Sequence, residues 1–142
     1  MKSRSHGGFT LIELVVVITL LGILAAFAVP RFASLEREAR VATVQSLAGS
    51  VRSASAMAHG LFLATGQNRV DMEGVQIRMT NGYPDARDIA NTLADTTGFN
   101  VRVQGGSVAT LSKTGASGTC ELVYTEAAAN GVPNIAVDTS GC

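Results

Sequence analysis

Gly7-Gly8-Phe9-Thr10-Leu11-Ile12-Glu13-Leu14 is the stretch on which the reading of the fold turns. Upstream lies a short, polar, basic leader, residues 1–8, carrying Lys2 and Arg4. Downstream, an apolar run opens at Phe9 and continues to Val29, interrupted only by Thr10, Glu13, Thr19 and Gly22. At 1.5 Å rise per residue, those roughly 21 residues make about 31 Å of helix, enough to cross a hydrocarbon core. The basic leader would hold its end in the cytoplasm. Glu13 is the single carboxylate in the run. An acid at membrane depth costs about 2–3 kcal/mol on insertion scales, which makes it a functional residue by default. It calls for a partner once the helix leaves the bilayer.

Working outward from the run, Pro30 and Arg31 follow, and the pattern turns amphipathic. Phe32, Leu35, Ala39, Ala42, Leu47, Val51, Ala54, Ala58 and Leu61 recur largely at spacings of three and four, a buried stripe on a helix. Proline ends or kinks a helix, but no turn-forming cluster surrounds Pro30. We therefore expect one long kinked helix to about Gly60, roughly 78 Å if continuous. Beyond Gly66, Val75, Ile77 and Met79 alternate with polar residues as in a half-buried strand. Asn81-Gly82-Tyr83-Pro84 reads as a turn, and 85–96 as a short helix with Ile89 and Leu93 on one face. Segments 100–104, 108–111, 120–125 and 135–137 read as strands between Gly- and Ser-rich turns. The expected class is α+β: a long N-terminal helix, membrane-spanning in its first half and amphipathic in its second, packed on a small antiparallel sheet. The expected organisation is a removable leader (1–8), a membrane and core helix (9–30) and a globular headgroup (31–142).

Composition limits the function classes. The chain of 142 residues carries 11 basic and 11 acidic side chains, so no nucleic-acid partner is expected. There is no Trp, with 5 Phe and 2 Tyr, so the core must rely on aliphatic residues. Cys120 and Cys142 allow a single pairing; in an exported domain this reads as a disulfide, worth roughly 3 kcal/mol in the chain-entropy model, the alternative being two buried thiols. His6 lies in the leader, and His59 reads as a solvated or helix-capping residue. Arg31, Arg37, Arg40 and Arg52 read as solvated or subunit-bridging helix charges. The sequence shows no Ser-His-Asp set, metal-spaced cluster or phosphate-cradling loop, so no enzyme activity, metal or cofactor is expected.

The Gly8-Phe9-Thr10-Leu11-Ile12-Glu13-Leu14 motif with its apolar run resembles the class III signal of type IV pilins, densely over residues 7–30 and including Pro30. Asn81-Gly82-Tyr83-Pro84 with the late cysteines also resembles pilins of the mannose-sensitive haemagglutinin type. The resemblance implies cleavage between Gly8 and Phe9 by a prepilin peptidase, and N-methylation of Phe9. It implies that Glu13 meets the Phe9 amine of a neighbouring subunit, and that Gly22 and Pro30 flank a segment able to unwind. Cys120 and Cys142 would bracket the outer end of the headgroup. The implied partners are copies of the chain in a helical filament, the peptidase and methyltransferase, the pilus assembly machinery and, before assembly, the bacterial inner membrane. The assembled pilus would be extracellular, serving adhesion or motility. Phe9 and Glu13, at i and i+4, share a helical face, so the implied charge pair is geometrically sound.

Two other readings compete. A pseudopilin of a type II secretion system, or a minor pilin, would share the N-terminal device. A membrane-anchored or secreted binding protein that never polymerises would instead use a plain anchor or an ordinary signal. Ala26-Phe27-Ala28 does match an A-x-A cleavage site. The length of the run and Glu13 weigh against that signal.

Overall fold

A computed structural model describes residues 8–142; residues 1–7, most of the expected leader, lie outside the described residues. Helix α1 runs from Leu11 to Thr65 and contains both Gly22 and Pro30. Proline removes a donor from the helical ladder, but Ala25, Ala26 and Ala28 before it and Ala33 and Leu35 after it favour helix. The helix continues past Gly60 to a stop at Gly66, whose φ of +66° suits a residue without Cβ. Its amide donates to the Phe62 carbonyl at 2.7 Å.

The chain divides into two units, one ending at Arg37 and one spanning Glu38–Cys142. In the first, every residue from Gly8 to Val29 except Ala28 is exposed. Within the described residues this is one helical run apolar and long enough to cross a membrane.

The second unit packs the later part of α1 on two antiparallel sheets. The smaller has the order β1 (Arg69–Met72), β2 (Val75–Thr80), β3 (Tyr83–Pro84). The larger has the order β4 (Phe99–Gln104), β5 (Val108–Lys113), β6 (Glu121–Thr125), β7 (Asn134–Asp138). Side-chain alternation sets the register of the larger sheet. Leu111 stands opposite Leu122, which stands opposite Val137; Ala109, Tyr124 and Ile135 form the next row. These rows cover Val44, Leu47, Ala48 and Val51 of α1. Ala58 packs instead with Val70, Ile77 and Met79 of the smaller sheet.

Three expectations need correction. The buried face of α1 comprises Val44, Leu47, Ala48, Val51, Ala54, Ser55 and Ala58, whereas Phe32, Leu35, Ala39 and Ala42 are exposed. At about 100° per residue, Ala42 lies opposite Val51, so the expected stripe joined two different faces. Segment 85–96 forms only a 3-10 turn, Ile89–Thr92. Asp85 Oδ1 accepts from the amides of Arg87 and Asp88, an alternative to helical pairing. Finally, the expected turn at 81–84 passes at Tyr83–Pro84 into strand β3, and β1 adds a further strand. β1 buries only Val70, and β3 uses a proline, tolerated because it lies at a sheet edge.

Candidate assembly site

The N-terminus of α1 is built by the sequence Thr10-Leu11-Ile12-Glu13. The Thr10 hydroxyl accepts from the Glu13 amide at 3.3 Å, while Glu13 Oε2 accepts from the Thr10 amide at 2.9 Å and hydroxyl at 2.8 Å. This is a reciprocal capping box, satisfying amides that a helix start leaves open. It also answers the cost of the carboxylate: two hydrogen bonds from Thr10 reach a group that would otherwise stand bare among apolar side chains. Thr10 is a capping residue that joins the expected site residues Phe9 and Glu13. Its signal, Thr-x-x-Glu before an apolar run, was in plain sight.

Phe9 precedes the helix and is 85% exposed, and Gly8 lies open, with nothing near the position of an added Cβ. Gly22 is equally open on the exposed helix. Thr19, the other polar interruption, turns its hydroxyl back to the carbonyls of Val15 and Val16, hiding it from an apolar surrounding. The segment thus presents apolar side chains on all sides, which is the pattern of a helix covered by lipid or by other helices.

At the other end of the chain, Cys120 and Cys142 form a disulfide with Cα atoms 4.7 Å apart. The bridge ties the C-terminus beside the start of β6, and the Gly141 amide donates to the Thr119 carbonyl at 2.7 Å. Nearby, Arg40 of α1 donates to the Gly115 carbonyl. Arg52 likewise reaches the Ile135 carbonyl at 3.4 Å. Arg40 thus reaches a headgroup loop and Arg52 the strand β7. His59 is neither solvated nor a helix cap. It stacks on Tyr83 at 4.1 Å between centroids, and its Nδ1 is 2.7 Å from the Gly82 carbonyl.

The chain matches the model of the prokaryotic N-terminal methylation motif over residues 3–29. It is 33% identical over 114 residues to the type IV major fimbrial protein FimA of Dichelobacter nodosus, covering 75% of this chain and 70% of that protein. It is 57% identical over 51 residues to the type IV narrow pilus major component PilA5 of Thermus thermophilus. That match spans 36% of this chain and 44%, less than half, of the relative. The type II secretion system core protein G of Pseudomonas aeruginosa is 51% identical over 41 residues, 29% of each chain. No solved structure gives a significant match.

Proposed function

Because the chain belongs to the type IV pilin family, we propose that it is the structural subunit of a surface pilus, held together by its N-terminal apolar helix. The observation that carries this reading is the run Phe9–Val29, exposed at every residue but Ala28, with one capped carboxylate at its start. The precursor sits in the inner membrane with its leader cytoplasmic. A prepilin peptidase hydrolyses the Gly8–Phe9 bond, leaving a carboxylate on the leader and a protonated amine on Phe9. N-methylation keeps that amine protonatable. The cut thereby creates a cation at Phe9, four residues before Glu13 and next to Thr10 of the capping box.

The assembly machinery then draws the helix from the membrane into a filament core. Burial against other copies of the helix, at about 25 cal/mol per Å² of apolar surface, is the main gain. Pairing of Glu13 with the Phe9 amine of a neighbour sets axial register more than affinity. Gly22 and Pro30 flank the part of the helix best able to unwind there, since glycine and proline both weaken helical structure. The headgroup, projecting from the filament, carries adhesion or motility contacts.

The test is Glu13→Ala in the full-length precursor. Membrane insertion and cleavage at Gly8–Phe9 should persist while filament yield collapses; normal yield overturns the register argument. Edman or mass analysis of the mature chain should find N-methylated Phe9 as its first residue, and a start at Val29 would sink the reading. A pseudopilin role has a specific observation behind it, the short match to core protein G. Sheared surface fibres composed mainly of this chain would separate the pilus from that alternative.

A further inference from the structure

Within the unit Glu38–Cys142, the two flanks of α1 carry complementary features. At about 100° per residue from the buried Val51, Arg52, Ala56 and His59 lie on one flank, and Ser50, Met57 and Leu61 on the other. On the first flank, the loop before β7 raises Val132, 72% exposed, beside Pro133. Arg52 lines the same shallow depression as this apolar tip and is held there by its bond to the Ile135 carbonyl.

The second flank holds an open groove of about 620 Å³. Its apolar wall includes Met57, 62% exposed, with Leu61 and Val75. Two acids line the groove, Asp71 of β1 and Glu73 of the β1–β2 turn. Asp71 accepts from the Gly74 amide and the Gln76 side chain. Glu73 has no hydrogen bond or ion pair among the described residues and sits at φ +52° at the turn tip. One flank is thus an apolar knob beside a cation, and the other an apolar groove beside an unpaired anion.

We propose that the Val132–Pro133 tip of one subunit seats in the α1–β1–β2 groove of a second copy of this chain, with Arg52 facing Glu73. The choice of occupant rests on charge complementarity and on the match of an exposed apolar tip to an exposed apolar groove. Because knob and groove lie on opposite flanks of the same helix, one copy can use both at once with different neighbours. Such a contact is heterologous, and a heterologous contact that does not close into a ring propagates a helical filament. The inference rests on the pilus reading: it supplies headgroup register in addition to that of the apolar helices.

The test uses full-length chains assembled into pili. Glu73→Arg should lower the yield of sheared filaments several-fold and make the remainder dissociate at lower temperature, with headgroup unfolding unchanged. Arg52→Glu should lower yield and dissociation temperature alike, with its headgroup melt measured alongside because it also loses the bond to the Ile135 carbonyl. The double exchange should restore both readouts. Val132→Asp, on a side chain already in solvent, should lower filament yield without changing the fold. If the wild-type chain makes filaments and their yield and dissociation are indifferent to all three changes, this inference alone is overturned. So does a double exchange no better than the weaker single variant. A wild-type chain that makes no filaments overturns the pilus reading and this contact with it.

Discussion

Gly141 shows how much can depend on one missing side chain. A Cβ there would lie 2.3 Å from the Thr119 amide nitrogen and 2.5 Å from Gly118 Cα. Both obstacles are backbone, so neither can swing aside. Gly141→Ala should therefore cost about 1–3 kcal/mol of headgroup stability, as overpacking does elsewhere, and loosen the neighbouring Cys120–Cys142 closure. Chemical denaturation of the exported chain measures it, and an unchanged midpoint would refute the clash. Tyr124 makes the same point from inside the core. Its hydroxyl donates to the Pro84 carbonyl at 2.6 Å, and burial pushes its ionisation up to about 12. The phenol therefore stays a neutral donor throughout the physiological range.

The elements of the headgroup are joined by a few specific polar ties. The Arg78 side chain on β2 reaches Asp88 Oδ2 at 2.8 Å, and the Arg78 backbone amide donates to the same oxygen at 3.0 Å. Arg78 also lies 3.4 Å from Asp85. Burial alone would raise the ionisation of Asp88, but these bonds from Arg78 outweigh it and hold the carboxyl below its ordinary 3.8. A depressed folded-state value contributes stability that is fully present above the unfolded value and is lost as pH falls through the folded one. The headgroup should thus weaken below about pH 4. Asp88→Asn should remove part of that acid limb while costing about 1–2 kcal/mol at neutral pH, since Arg78 is partly open to screening solvent. Thermal melts between pH 2 and 7 test both statements. A variant with the wild-type acid limb would rule out Asp88 as its source. The disulfide is a second tie, closing β6 onto the end of β7. Cys142→Ser should lower the melting temperature and speed proteolysis of the headgroup, in keeping with a loss of about 2–5 kcal/mol for such bridges. Equal protease resistance would show that the sheet holds its edge without the bridge.

At the scale of the whole molecule, an exposed apolar helix and a water-compatible headgroup make opposite demands on solvent. Residues 8–29 offer no cover for one another, so before assembly the chain needs a bilayer. Alkaline carbonate or high salt should leave the unassembled chain in the membrane pellet, whereas detergent releases it. Extraction by carbonate alone would mean that the helix does not span. The sequence by itself determined this amphibious character. The membrane-length apolar run and the strand alternation at Val75–Met79 are local patterns, and local physics is enough to read them. Only the tertiary structure decided which face of α1 the sheets cover. Phe32 and Ala42 are as apolar as the residues that are buried, and their spacing alone could not say that the covering sheets would choose Val44, Ala48 and Val51. The stacking of His59 on Tyr83 and the opposed knob and groove likewise depend on residues brought together from distant parts of the chain. A helix of nearly uniform hydropathy can bury any of its sides; the shape and register of its partner choose one.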